Sequence, residues 1–77
     1  MESQLRKLMA ELLRIPKSEI TDTLAMKQTD SWDSLKHMEL VVTLEETFNV
    51  QLTSDEIITM LDMEGITKVL MEKGALN

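Results

Sequence analysis

The sequence predicts an all-α domain, a bundle of four helices in which three are longer, one is short, and a long loop joins the first two. Three observations predict this fold. Apolar residues recur at spacings of three and four, no segment alternates as a strand does, and helix-ending signals separate the periodic segments. The 77 residues contain no repeat, linker or low-complexity tract, so we expect a single domain over residues 1–77.

The first helix is predicted over residues 4–14. Its apolar residues follow the spacing of a helix with one buried face: Leu5, Leu8, Met9, Leu12 and Leu13. Pro16 is expected to end this helix, because proline disfavours helical geometry at Ile15 and has no N–H to donate.

Residues 15–33 show no sustained period, and a structureless connection of this length is uncommon in a small domain. Apolar residues are nevertheless spaced along it: Ile20, Leu24, Met26 and Trp32. Such side chains can anchor a long connection to a helical core. We therefore expect an anchored loop that contains a short helical turn.

The last two helices are predicted from their end signals. Thr53 and Glu56 have the spacing of a capping box, in which each side chain satisfies a backbone donor of the other, and Ile57, Ile58 and Leu61 form a short apolar side. The final helix begins near Met63 or Glu64, buries Ile66, Val69 and Leu70, and ends at Gly74, which suits a left-handed cap. Gly65 is expected to weaken its first turn slightly.

The second helix is predicted from Ser34 to Phe48 or Asn49, and its apolar residues lie on two sides. One side is a core stripe: Leu40, Val41, Leu44 and Phe48. A second cluster lies about 140° away on the helical wheel and consists of Leu35, Met38 and Val42. A small bundle cannot easily bury both sides, so the second cluster is a candidate docking surface. The alternative is that the long loop covers Leu35 and Met38.

Acidic residues border the second cluster, with Glu39 and Glu46 on one flank and Glu45 on the other. An apolar patch with a charged rim is typical of a docking surface, since burial supplies affinity and charge steers the partner. Residues 37–67 contain seven acidic residues and no Lys or Arg, whereas residues 1–36 contain six of each sign. This pattern favours partners with basic patches. The alternative is an acidic face that serves solubility alone.

Composition excludes several function classes. The net charge of −6 argues against a nucleic-acid partner, and the absence of cysteine excludes disulfides and thiolate metal sites. No stretch approaches the length of a membrane span and the N-terminus lacks a leader pattern, so we expect a cytoplasmic protein. One histidine and scattered carboxylates provide neither a stable metal site nor a Ser-His-Asp set.

Ser34 is the residue that needs explanation, because it stands where the loop meets the acidic helix. Taken alone, a serine at a helix start caps the helix. Its flanks change this interpretation: Trp32-Asp33-Ser34-Leu35, then Met38-Glu39-Leu40-Val41, Leu44-Glu45-Glu46 and Phe48. With these flanks, nearly the whole chain resembles the acyl carrier protein family, in which the serine of the Asp-Ser-Leu triplet carries a 4′-phosphopantetheine arm.

The resemblance implies a function and a set of partners. It implies that Ser34 receives the arm from coenzyme A through a phosphopantetheinyl transferase, with Asp33 helping to place magnesium. It also implies that acyl-loading and acyl-processing enzymes dock on the second helix, at Leu35, Met38, Glu39, Val42, Glu45 and Glu46. The protein would be a monomeric carrier rather than an enzyme, holding acyl intermediates as thioesters for fatty-acid, polyketide or related synthesis.

Two alternatives remain open at the level of sequence. An aminoacyl or peptidyl carrier would share the fold and the arm, although such carriers usually have glycine where this chain has Asp33. An unmodified acidic interaction module would use Ser34 only as a cap. The chain also departs from common fatty-acid carriers at Lys36 and His37. We expect His37 to be a partly buried structural residue, and Trp32 to anchor the end of the loop.

Overall fold

The computed structural model of the protein describes residues 2–76, and within that range it is a four-helix bundle without strands. The predicted fold class is therefore confirmed, while the outer ends of the predicted domain, residues 1 and 77, lie outside the described range. The four helices are α1 (Glu2–Leu13), α2 (Ser34–Phe48), α3 (Ser54–Thr59) and α4 (Met63–Glu72). None of them is long and apolar enough to cross a membrane.

Helix α1 begins two residues before its predicted start and ends one residue before its predicted end. The helix stops because Arg14 adopts a left-handed conformation with φ of 59°. The backbone N–H of Ile15 then donates to the carbonyl of Ala10 over 3.2 Å. Helix α1 therefore ends before Pro16, and Arg14 rather than the proline ends it.

The connection between α1 and α2 is anchored, as predicted, and contains two short 3₁₀ turns, Lys17–Glu19 and Met26–Gln28. Ile20 and Trp32 are fully buried in the common core. Arg6 fixes the first half of the connection, since its guanidinium donates to the Ile20 carbonyl and pairs with Asp22 at 2.6 Å. Burial of the loop's own side chains explains how so small a domain tolerates so long a connection.

The second half of the connection is joined to the turn between α3 and α4 by an isolated antiparallel bridge between Ala25 and Asp62. The Met26 N–H donates to the Leu61 carbonyl, and the Met63 N–H donates to the Leu24 carbonyl, both over 2.9 Å. The loop that leads to Ser34 is thus held at its middle by backbone hydrogen bonds.

The core is formed by α1, α2, α4 and single residues of the connections, and α3 contributes no buried member. Its buried members are Leu5, Met9, Leu13, Ile20, Trp32, Leu40, Leu44, Met60, Met63, Ile66, Val69, Leu70 and Leu76. Gly74 has φ of 74° and confirms the predicted left-handed end of α4. Gly65 has a role that the sequence did not reveal, because a Cβ there would lie 2.2 Å from the carbonyl oxygen of Thr59. The junction of α3 and α4 requires glycine at this position.

Candidate functional site

Ser34 is the first residue of α2 and is exposed, while the residue before it caps the helix. Asp33 has an extended backbone, and its carboxylate Oδ1 accepts a hydrogen bond from the Lys36 N–H over 2.9 Å. Its carbonyl accepts from the His37 N–H over 2.8 Å. The interpretation of Ser34 as the cap is therefore wrong, because the N-cap lies one residue earlier. The fold does not need the Ser34 hydroxyl for capping.

The start of α2 has unpaired backbone N–H groups and positive electrostatic potential. The N–H groups of Ser34 and Leu35 belong to the first turn, which has no intrahelical acceptors for them. The peptide dipoles of this 15-residue helix add positive potential at the same end. These features favour negative charge at this end of the helix.

His37 is buried directly behind this helix start, with 7% of its surface exposed. Its Nδ1 lies 3.1 Å from the indole Nε1 of Trp32, and its Nε2 lies 3.1 Å from the carbonyl oxygen of Ile57 in α3. The two rings are tilted by 31° with centroids 6.1 Å apart. The predicted structural role of His37 and the predicted anchoring role of Trp32 are both confirmed. Both imidazole nitrogens are occupied, so this ring is not positioned to act as a base for Ser34.

The second apolar cluster of α2 is exposed. Leu35, Met38 and Val42 expose 71%, 53% and 51% of their surfaces and line a shallow groove together with Glu39 and Thr43. The alternative in which the long loop covers Leu35 and Met38 is therefore wrong. On the opposite side the core stripe is buried at Leu40, Val41 and Leu44, whereas Phe48 near the helix end is only partly buried.

The three glutamates around this cluster have different surroundings. Glu39 pairs with Lys36 at 3.4 Å, which partly neutralises the charge nearest Ser34. Glu45 is half-buried, and its Oε2 accepts a hydrogen bond from the Leu52 N–H over 3.0 Å, so it also holds the α2–α3 connection. Glu46 is exposed. Sequence reasoning did not find the role of Glu45, because its partner is seven residues away beyond the helix end.

Helix α3 differs from its predicted packing. The predicted short apolar side of Ile57, Ile58 and Leu61 does not face the core as a unit, since Ile57 is half-buried, Ile58 exposes 66% of its surface, and Leu61, which lies beyond the helix, exposes 48%. No side chain of α3 is fully buried. Adjacent helical residues point in different directions, and Ile57 and Ile58 therefore cannot both face the core. The adjacency of Ile57 and Ile58 in the sequence therefore already indicated that one of them faces outward. Ile58 adds an exposed apolar side chain to the helix that follows α2.

Polar contacts hold α3 in place. The predicted capping box is present: the Glu56 N–H donates to Thr53 Oγ1 over 3.1 Å, and the Thr53 N–H donates to Glu56 Oε1 over 2.9 Å. Lys73 pairs with the same carboxylate at 2.9 Å and joins α3 to the end of α4. The Thr53 hydrogen bond and, after it, that of Lys73 hold the pKa of the Glu56 carboxyl below its ordinary value.

Comparison with known proteins assigns this helical domain to the class of small carrier domains. Residues 3–63 match the family described as Phosphopantetheine attachment site. The chain is also similar to Polyketide-8 synthase acyl carrier protein 2 of Streptomyces avermitilis, with 31% identity over 94% of this chain and 83% of that protein.

Two further relatives agree. Polyketide-8 synthase acyl carrier protein 1 of the same organism is 28% identical over 92% of this chain and 84% of its own length. An acyl carrier protein of Buchnera aphidicola is 26% identical over 90% of this chain and 88% of its own length. The chain belongs to the phosphopantetheine attachment family and, within it, to the acyl carrier proteins.

Membership establishes the general function. The protein holds acyl groups as thioesters on a covalent 4′-phosphopantetheine arm. Its family consists of carriers rather than catalysts, and such carriers interact with a phosphopantetheinyl transferase and with acyl-handling enzymes. Within residues 2–76, no group of acidic or histidine side chains is arranged to hold a metal ion.

Proposed function

We propose that Ser34 is the residue that carries the arm, and that the exposed face of α2 is where partner enzymes dock. The assignment of the arm to Ser34 depends on which residue caps α2. Asp33 caps α2, which leaves the Ser34 hydroxyl exposed and without a role in the fold. The family match over residues 3–63 includes this serine and supports the same assignment.

In the proposed modification, the Ser34 oxygen attacks a phosphorus atom in the pyrophosphate of coenzyme A. A new O–P bond forms at the phosphorus that bears pantetheine, while the bond from that phosphorus to the bridging oxygen breaks and adenosine 3′,5′-bisphosphate leaves. The serine proton passes to a base of the transferase. This chain supplies only the nucleophile, its exposed position and the positive potential of the helix start. The arm's thiol supplies the thioester chemistry when it is loaded.

Asp33 has one observed and one proposed role, and the two can be separated. One carboxylate oxygen caps α2, and the carboxylate charge would help place magnesium in the complex with the transferase. Asparagine caps a helix about as well as aspartate but carries no charge. Asp33→Asn should therefore leave the fold intact and raise the magnesium concentration required for modification.

The docking surface combines Leu35, Met38 and Val42 with the glutamates Glu39, Glu45 and Glu46. Exposed apolar area at the centre and carboxylates at the rim suit a partner with an apolar patch among basic side chains. We propose that the carrier acts as a monomer in the cytoplasm, where coenzyme A is available, and performs no catalysis itself. The two polyketide-synthase relatives make polyketide intermediates a candidate cargo beside fatty acyl groups.

The deciding experiment is intact-protein mass spectrometry after incubation with coenzyme A, magnesium and a broad-specificity phosphopantetheinyl transferase. Wild type should gain the mass of one arm, while folded Ser34→Ala and Ser34→Asp should gain none. An arm on either variant would place the attachment elsewhere. If folded wild type gains no mass with two different transferases, the unmodified interaction module becomes the better description.

The same modification assay also tests docking. Glu39→Lys with Glu46→Lys should slow modification of Ser34 severalfold without unfolding the domain, because exposed charge changes cost little stability. The matched control is Glu11→Lys with Glu72→Lys, which changes the net charge equally at exposed positions on α1 and α4. Equal slowing in both double variants would mean that only total charge matters and would refute docking on α2.

A further inference from the structure

We propose that His37 is a positioning residue that sets the place of α3 relative to Ser34. It is the one buried polar side chain in the described core, and it connects two segments that no other described side-chain hydrogen bond joins. On one side it contacts Trp32, two residues before Ser34. On the other it contacts the carbonyl of Ile57, twenty residues further along the chain. This inference rests on the proposed attachment at Ser34.

The two partners determine the protonation of the imidazole. An indole N–H only donates, so Nδ1 of His37 must accept and carry no proton. A backbone carbonyl only accepts, so Nε2 must carry the proton and donate. The neutral tautomer with hydrogen on Nε2 is thus the form that satisfies both contacts, and it gives the pair of hydrogen bonds a fixed direction from Trp32 through His37 to α3.

The contact at Ile57 matters because α3 has few other attachments near α2. Ile57 lies in the last turn of α3, where carbonyl groups lack the usual helical donors. Its carbonyl accepts from the Met60 N–H over 3.2 Å and from His37. No side chain of α3 is fully buried, so the helix relies on such polar contacts for its placement.

The next residue, Ile58, connects this contact to docking. Its side chain is exposed, as are those of Leu35 and Met38 on α2. Fixing the Ile57 carbonyl fixes the backbone from which Ile58 projects. A partner that contacts both helices while it modifies Ser34 would therefore bind more weakly when the His37–Ile57 hydrogen bond is absent. The chemical step at the serine would be unchanged.

Three variants separate the two contacts. Glutamine presents an amide N–H where Nε2 of histidine lies, and asparagine presents an amide oxygen where Nδ1 lies. His37→Gln therefore keeps the donor to Ile57, His37→Asn keeps the acceptor for Trp32, and His37→Phe fills the space with neither. The readouts are KM and kcat for modification by the transferase, the fluorescence of Trp32, which is the single tryptophan, and the free energy of unfolding.

We expect KM to rise about three- to tenfold in His37→Asn and His37→Phe, the range that corresponds to one lost hydrogen bond, with kcat unchanged. His37→Gln should keep the wild-type KM. Trp32 fluorescence should follow the opposite order, remaining like wild type in His37→Asn and changing in His37→Gln. If KM instead follows the unfolding free energy across the variants, His37 has only a structural role and the proposal is refuted.

A measurement on the unmodified wild-type protein guards against variants that do not fold. Nitrogen-15 NMR of the single imidazole should show that its neutral form has a bare Nδ1 and a protonated Nε2. A proton on Nδ1 would contradict the proposal, whatever the kinetics. Failure of wild type to accept an arm at all would refute the assignment of Ser34 instead, so the two failures are distinguishable.

Discussion

Helices α2 and α3 both flank the candidate site, yet they are held in place by different forces. Helix α2 has 15 residues and buries His37, Leu40, Val41 and Leu44, whereas α3 has six residues and buries none. Apolar burial fixes α2, whereas an ion pair and the His37 contact attach α3 to the rest of the domain and a capping box stabilises its first turn. The difference shows that one domain can combine a rigid platform for Ser34 with a neighbouring helix that a few polar contacts control.

The largest effect on stability is expected from removing a buried side chain from α2. Leu44→Ala deletes a fully buried side chain and should lower the free energy of unfolding by about 2–5 kcal/mol. Urea denaturation measures the change. Leu35→Ala is the matched control, since it makes the same chemical change on the exposed side of the same helix, and it should cost less than about 0.5 kcal/mol. Equal losses would mean that the two sides of α2 are not distinct.

A smaller effect is expected from removing the cap of α3. Thr53→Ala deletes the hydroxyl that accepts from the Glu56 N–H and should lower stability by about 1 kcal/mol. Native-state hydrogen exchange should show faster opening of α3, with amides in the centre of α2 affected much less. Ser54→Ala, at the exposed neighbouring position, is the control. Uniformly faster exchange in both helices would show that they open as one unit.

The smallest effect is a pH dependence confined to α3. The pKa of Glu56 lies below its ordinary value of 4.5, so its ionised form stabilises the fold above that pH. This contribution is lost as the pH falls from the unfolded pKa through the lowered folded pKa. Glutamine keeps the capping geometry without the charge. Glu56→Gln should therefore be less stable than wild type at neutral pH and match it in acid.

Urea denaturation at pH 7 and at about pH 3 measures this difference. Glu46→Gln removes an exposed carboxylate from α2 and serves as the control. If Glu56→Gln is still less stable than wild type in acid, the carboxylate acts through its shape rather than its charge. In that case the polar attachment of α3 would not be electrostatic.

Much of the fold was predictable because its signals are local. The start of α2, the capping box at Thr53 and the left-handed Gly74 depend on a few neighbouring residues, and the exposed face of α2 follows from the helical period alone. The position of Ser34 was predictable in the same way. The sequence could not predict that Ser34 does not cap the helix, because Asp33 and Ser34 are both good caps and only the backbone shows which residue precedes the helix.

Contacts between distant segments could not be predicted. The partners of His37 are separated by 25 residues, from Trp32 to Ile57, and no periodic pattern relates them. Gly65 was interpreted as a weak point from its helix propensity, whereas the close approach of the Thr59 carbonyl makes glycine necessary. Such requirements arise when the whole chain is packed, so they are properties of the tertiary structure rather than of any segment.

The bridge between Ala25 and Asp62 has a consequence for sequence variation. Its hydrogen bonds join backbone atoms of residues 24, 26, 61 and 63, so they do not depend on side-chain identity. Proline at Met26 or Met63 would remove a donor, but most other residues would preserve the pairing. The closed loop between the two paired segments contains both α2 and α3. Non-proline substitutions at residues 24, 26, 61 and 63 would therefore leave this backbone pairing intact, whereas the buried side chains of Ile20 and Trp32 would still constrain the rest of the connection.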